Sequence, residues 1–217
     1  MKIGIVGGLG KMGSTAAEYA IEKGYDVIKI DLRGEIRSLN DIKERVDCIL
    51  DFSNEEGLLS AIEYCVKNKI PLVSGTTGIK KDIFDEPKRL IPIVYSPNFS
   101  LGVNLIFHFL NSFPDEIKKF FTTYILEAHH IQKKDKPSGT AKKIGDFINP
   151  VETFSIRAKD EPGTHYIFMF GEGENIEIVH RARTRRIFAI GAILTCEWIL
   201  NKSPGLYSME DIWTIRK

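Results

Sequence analysis

From Lys2 to about Tyr95, short runs rich in β-branched residues alternate with helical patterns, and this alternation leaves few folds open to the chain. Parallel strands need a long crossover, usually a helix, so strand-helix-strand succession implies a parallel sheet covered on both faces. Strands are expected at Lys2–Val6, Asp26–Ile30, Asp47–Asp51, Pro71–Ser74 and Pro92–Tyr95. Between the third and fourth, Ser53 and Glu56 have the spacing of a capping box. Leu58, Leu59, Ile62, Cys65 and Val66 then recur at helical spacing, which gives that helix an apolar stripe for the sheet.

After Asn98 the texture changes. Ser100 is placed to cap a helix running to about Asn111, and from Tyr124 the pattern becomes that of alternating, antiparallel-looking strands. These are expected near Tyr124–His130, Phe154–Lys159, Tyr166–Phe170 and Asn175–Arg181, around one helix from Ser138 to Ile148. The result is an α+β domain with a largely open sheet, whose uncovered face implies a partner. A last helix, Ile187–Leu200, closed by Pro204-Gly205, is too apolar for a surface helix and is expected to return to the first domain. The domain division is therefore residues 1–100 completed by 187–217, and residues 101–186.

Charge and composition exclude several classes. Lys+Arg 30 against Asp+Glu 29 gives a net charge of +1, so no bulk field draws the chain to nucleic acid or a membrane surface. Cys48, Cys65 and Cys196 are odd in number and lie within apolar stretches, as buried reduced thiols do. The apolar run at the start is broken by glycines and Lys11 before a signal core is complete, and Ile187–Leu200 is too short and contains Glu197. The expected location is the cytoplasm.

Behind the first strand stands Gly7-Gly8-Leu9-Gly10-Lys11-Met12-Gly13, opening a helix with Ala16, Ala17, Ala20 and Ile21. Of the three evenly spaced glycines, Gly7 permits a tight turn, Gly10 lets the backbone approach a pyrophosphate, and Gly13 allows close helix-to-strand packing at a positively polarised helix start. An ordinary glycine-rich turn is the competing reading. Position at the head of an alternating pattern favours the dinucleotide, as does Asp31 at the end of the second strand, where a carboxylate accepts from ribose hydroxyls and repels a 2′-phosphate. NADH is thereby expected to serve well. Arg33 is either a solvated arginine or a second contact for a 2′-phosphate, so NADPH stays open. Gly75-Thr76-Thr77-Gly78 and Ser96-Pro97-Asn98-Phe99 follow the fourth and fifth strands, where such sheets bind ligands, although each also suits a plain turn.

The most informative stretch runs from Glu127 through His129, His130, Lys133 and Asp135 to Pro137-Ser138-Gly139-Thr140-Ala141. Adjacent histidines on a strand point to opposite sides, so His129 and His130 should have separate tasks rather than hold a metal, and no third ligand is near. Ser138 is a natural N-cap, which leaves the N–H groups of Gly139 and Thr140 facing outward for a carboxylate, with Lys133 and Lys136 adding positive charge. His108, His165 and His180 read as ordinary satisfied or solvated side chains.

Here the sequence resembles the dihydrodipicolinate reductase family. Glu-Ala-His-His-x-x-Lys-x-Asp-x-Pro-Ser-Gly-Thr-Ala, from Glu127 to Ala141, is similar to that family's signature. Gly7–Gly13, Asp51-Phe52-Ser53, Gly75-Thr76-Thr77, Asn98-Phe99-Ser100, Gly102-Val103-Asn104, Phe188-Ala189 and Gly191-Ala192 add support in the same order. The resemblance implies a Rossmann-like, doubly wound α/β domain with a second α+β domain, and NAD(P)H-dependent reduction of a small cyclic dicarboxylate on the route to diaminopimelate and lysine. It implies that His129 is the general acid/base and Lys133 a second proton donor, with His130, Lys133, Ser138, Gly139 and Thr140 around the dicarboxylate. Gly7, Gly8, Leu9, Gly10, Lys11, Met12, Asp31, Gly75, Thr76, Thr77, Ser96, Pro97, Asn98 and Phe99 are implied for the dinucleotide, and a homotetramer joined through the second sheet for the assembly. The chain departs from the family in its short Asp31–Val46 interval and in Lys11, where an arginine is frequent. Two other functions compete: a two-domain dehydrogenase of aspartate or homoserine type, and a non-catalytic redox sensor that needs the glycine loop but no proton donor.

Overall fold

The computed structural model describes residues 1–213. The chain divides into two compact units, one formed by Met1–Ser100 and the chain from Arg186 onward, the other by Leu101–Arg185.

In the first unit, β1 (Lys2–Val6), β2 (Asp26–Ile30), β3 (Cys48–Asp51), β4 (Leu72–Ser74) and β5 (Pro92–Tyr95) are parallel. Their apolar runs bury both faces: Ile3, Ile5, Ile49, Leu50, Leu72, Val73, Ile93 and Val94 have no exposed surface. Helix α1 (Lys11–Glu22) presents Gly13, Ala16, Ala17 and Ala20 inward, small residues that let it lie close to the sheet. Helix α2 (Glu55–Asn68) buries Leu58, Ala61, Ile62 and Cys65 with Ile49, Leu72 and Ile93. Its cap differs from expectation. Asn54, not Ser53, accepts the Gly57 N–H at 2.9 Å, because Ser53 is engaged by Asp51.

The second unit opens with α3 (Leu101–Asn111) and the single turn α4 (Asp115–Lys118). It continues with β6 (Thr122–His130), α5 (Gly139–Ile148), β7 (Glu152–Ala158), β8 (Thr164–Gly171) and β9 (Glu174–Arg181), and the sheet order is β7-β6-β8-β9. Here the antiparallel expectation needs correction: β6 and β7, joined through α5, are parallel, and only β6–β8 and β8–β9 are antiparallel. Val103, Phe107 and Leu110 of α3 and Ile144 and Ile148 of α5 cover one face, over Ile125, Ile167 and Met169. The opposite face carries Tyr124, Phe154, Tyr166, Phe168 and Phe170 in ring contact, with Phe154, Ile156 and Phe170 exposed.

The chain then completes the first unit. Helix α6 (Arg186–Ile199) packs against α1 and brings Cys196 beside Cys48. Pro204-Gly205 does more than end that helix: β10 (Gly205–Tyr207) adds a sixth parallel strand next to β5, before α7 (Met209–Trp213). The full order, β10-β5-β4-β3-β1-β2, reverses direction of travel at β1, which puts a topological switch point at that strand's carboxyl end. All three cysteines are buried and free. Among the described residues no helix is long and apolar enough to cross a membrane.

Candidate active site

The glycine loop occupies the switch point. The N–H groups of Gly7 and Gly8 both donate to the Ile30 carbonyl, at 2.9 and 3.2 Å, which ties the turn to the end of β2. Gly7 has φ +72°, and a Cβ there would stand 2.5 Å from the Phe52 carbonyl. At Gly13 a Cβ would stand 2.1 Å from the Gly7 carbonyl. These two glycines are needed for packing. Gly10 is different, since a Cβ there would have one near neighbour, Gly7 O at 3.1 Å, so its missing side chain leaves a space in front of the helix rather than inside the fold. Helix α1 begins there with no capping side chain and no acid in its first turn, whereas α2 begins with Asn54, Glu55 and Glu56. Its first N–H groups and its positive end are therefore available to an anion.

Asp31 closes the other side of this loop. Its Oδ2 accepts from the Leu9 N–H at 3.2 Å, and Arg33 forks onto both carboxylate oxygens at 2.9 and 3.1 Å. That guanidinium, helped by the N–H groups of Arg33 and Leu9, holds the Asp31 carboxyl at about 2 despite partial burial. Lys11 is exposed and Met12 half-buried at the helix start. The loop from Gly75 to Gly78 is arranged by Asp51, which is fully buried and accepts from the Ser74 and Thr76 hydroxyls at 2.8 Å each and from the Ser53 N–H at 3.0 Å. Burial raises its pKa, against those hydrogen bonds. Thr76 thus turns its hydroxyl inward, and the exposed side chain of that loop is Thr77. Gly75 fits between the rings of Phe52 and Phe99, Ser96 bonds the Asn98 backbone, and Ser96 and Phe99 are buried, so Pro97 and Asn98 form the accessible part of that turn. A space before an uncapped helix, a carboxylate at the next strand end and two small-residue loops fit a dinucleotide.

In the second unit, strand alternation sets the chemistry. Thr123, Ile125, Glu127 and His129 share the inner face of β6, so the face that begins apolar ends with a carboxylate and an imidazole; His130 is half-buried on the other side. Register extends this into a polar row: Glu127 is paired with Ser155 and His165, His129 with Arg157, and His165 with His180. Glu127 has no exposed surface. Its Oε2 takes a short hydrogen bond from His129 Nδ1, and Arg157 forks onto the carboxylate at 2.8 and 3.0 Å. Burial alone would raise the Glu127 pKa, but hydrogen bonds from Arg157, Ser155 and His129 outweigh it and hold the carboxyl at about 2. A carboxylate only accepts, so His129 carries a proton on Nδ1 and its free nitrogen is Nε2. Burial lowers the His129 pKa, with Glu127 opposing and Lys133 and Arg157 assisting.

Lys133 is ion-paired to Asp135 at 2.9 Å. Burial would raise the Asp135 pKa, but Lys133 and the Gly139 N–H together hold it below the usual range. Ser138 caps α5 by accepting the Ala141 N–H at 3.1 Å, and its hydroxyl also lies 3.2 Å from His165 Nε2, within hydrogen-bond reach. A Cβ added at Gly139 would meet nothing within 4 Å, and Thr140 lines a recess with His165 and His180. The His165 ring stands 5.2 Å from that of His129, and burial, with His129 and His180 adding to it, pushes its pKa down to about 3. His108 is exposed on α3, as expected of a solvated side chain. No cluster of His, Cys, Asp or Glu among the described residues is arranged to hold a metal ion.

Sequence reasoning passed over Arg157 and read His165 and His180 as ordinary side chains, where the structure sets them in the row with His129. The available signal was Glu127: a carboxylate on the buried face of a strand requires a cationic partner. Finding that partner required the parallel β6–β7 register, which strand patterning does not contain.

Both halves of the chain have known relatives. Residues 1–99 match the family described as Dihydrodipicolinate reductase, N-terminus, and residues 102–213 match Dihydrodipicolinate reductase, C-terminus. A 4-hydroxy-tetrahydrodipicolinate reductase of Thermosipho africanus is 36% identical over 216 residues, 98% of this chain and 97% of that protein. One from Archaeoglobus fulgidus is 31% identical, with 97% and 99% covered. A dipicolinate-bound dihydrodipicolinate reductase from Paenisporosarcina sp. TG-14 superposes with a TM-score of 0.78 at 20% identity, over 96% of this chain and 97% of that one, which shows the shared fold. With both halves matched in order and whole-length relatives above 30% identity, the chain belongs to the dihydrodipicolinate reductase family.

Proposed function

We propose that this protein reduces 4-hydroxy-tetrahydrodipicolinate to tetrahydrodipicolinate with NADH or NADPH, the ring hydroxyl leaving as water, a step toward diaminopimelate and lysine in the cytoplasm. The observation that carries the reading is His129, oriented by a buried carboxylate in the same unit as an anion-receptive helix start at Gly139. Gly7 to Met12 and Asp31 hold the dinucleotide, with Gly75 to Thr77 and Ser96 to Phe99 shaping its nicotinamide side. The chemistry supplied there by a reduced nicotinamide is a hydride. The N–H groups of Gly139, which gives up Asp135 for the substrate, and Thr140, with His130 and Ser138, bind the dicarboxylate. Lys133 leaves Asp135 for the dianion and places positive charge where negative charge develops. His129 delivers its proton from Nε2 while Nδ1 stays bonded to Glu127. Because Arg33 already neutralises Asp31, the repulsion of a 2′-phosphate is moderated, and both nucleotides are substrates. The exposed aromatic face of the second sheet joins copies of the chain into a homotetramer.

The test is loss of nicotinamide absorbance with substrate generated by the preceding synthase. Oxidation of NADH or NADPH that depends on that substrate is expected. Absence of turnover with either nucleotide would remove the reading and favour the sensor alternative.

A further inference from the structure

Arg157 offers five N–H donors in one plane, and all five are used. Its two terminal nitrogens take both oxygens of Glu127, at 2.8 and 3.0 Å. They also donate to the carbonyls of Ile156 at 2.7 Å and Asp135 at 2.5 Å, and Nε donates to the carbonyl of Lys133 at 3.2 Å. The side chain is 7% exposed and the carboxylate it grips is wholly buried. Two of the five acceptors therefore belong to the loop that carries Lys133, and two to the carboxylate that orients His129.

We propose that Arg157 is a positioning residue for the reduction, holding the ring of His129 through Glu127 and the Lys133 loop through two backbone carbonyls, so that one rigid fork sets both groups. The proposal rests on the reductase reading given above. Parallel pairing sets Arg157 directly beside His129 on the neighbouring strand, so the fork reaches Glu127 and the loop at once. An ammonium cannot substitute, because its three donors radiate from one atom and cannot span a carboxylate and two carbonyls. If charge alone mattered, lysine would suffice. If Arg157 served stability alone, its loss would lower the melting temperature and leave the ring of His129 and the turnover of folded protein unchanged.

The experiment uses the full chain, as Arg157→Lys and Glu127→Gln, with turnover, NADH affinity, thermal melting and long-range ¹H–¹⁵N spectra of the histidine rings. In the unmodified protein neutral His129 is expected to carry its proton on Nδ1. Both variants should lose that fixed tautomer and lower kcat by on the order of 10²-fold, with NADH affinity unchanged. Should Arg157→Lys fail to fold, Glu127→Gln, which keeps the shape of the side chain, decides the matter by the same two readouts. Wild-type kcat in folded Arg157→Lys, or Nε2 protonation of neutral His129 in the unmodified protein, overturns the proposal. Lack of turnover by the unmodified protein overturns only the reductase reading, and the His129 spectra of the three proteins then decide this one.

Discussion

At His129 burial and a carboxylate pull in opposite directions, and burial wins, so the imidazole titrates below its ordinary 6.5 in the free protein. Glu127 raises the value; Lys133 and Arg157 lower it, and the adjacent His165 stays neutral. An acid must be protonated to act, so kcat/KM should fall as pH rises through a pKa below 6.5. A bound dianion adds negative charge beside the ring and favours its protonated form, which should move the corresponding limb of kcat to higher pH. A kcat limb at lower pH than that of kcat/KM would contradict this assignment. Substitution separates the roles further: His129→Gln should lower kcat by roughly 10²–10⁴ with little change in KM, and Thr140→Val should chiefly raise KM. Steady-state kinetics at saturating nucleotide distinguishes the two, and equal effects on both constants would mean that acid and anchor have been misassigned.

The β1–α1 turn shows how neighbouring glycines in one element answer to different demands. Adding a methyl at Gly13 drives it into the Gly7 carbonyl, so Gly13→Ala should cost about 1–3 kcal/mol of stability. A valine at Gly10 instead projects into the space before the helix, so Gly10→Val should stay folded and lose NADH binding. Chemical denaturation and a fluorescence titration together check the pair; the reverse pattern would place the nucleotide elsewhere. Much of this element was legible in the sequence, because tight turns, close approach and helix starts are local demands that Gly7, Gly10, Gly13 and Asp31 meet within one βαβ unit. The Glu127–Ala141 segment was legible for the same reason. Arg157 was not, since its role depends on which strand lies beside β6. The inward turn of the Thr76 hydroxyl was not legible either, because its partner, Asp51, comes from another strand, and β10 was missed because three residues at a sheet edge carry no pattern of their own.

Acid stability belongs to the molecule as a whole, and its pH window follows from the same buried row. The folded pKa of His165 is about 3 against 6.5 unfolded, so the stabilisation is complete above 6.5 and is lost as pH falls toward 3. Its share of the loss at pH 5 is about 2 kcal/mol. Glu127 acts later: with a folded value of about 2 against 4.5, its stabilisation is intact above 4.5 and lost as pH falls through 2. Unfolding midpoints should therefore begin to drop near pH 6.5, before carboxylates protonate, and His165→Gln, which can still bond the Ser138 hydroxyl, should flatten that first decline. A profile that is level down to pH 4.5 would show that the buried histidines are not depressed.

The first unit is assembled from two stretches of chain separated by the whole of the second. During synthesis, which runs from the amino end, the five strands β1 to β5 leave the ribosome without α6 to cover the Cys48 side of β3 and without β10 to close the edge at β5. The uninterrupted Leu101–Arg185 segment has all of its own strands and helices by the time Arg185 emerges. The nascent nucleotide-binding sheet must stay open until α6 and β10 have been made, and a ribosome that stalls before Arg186 leaves an apolar sheet face for chaperones and proteases to find.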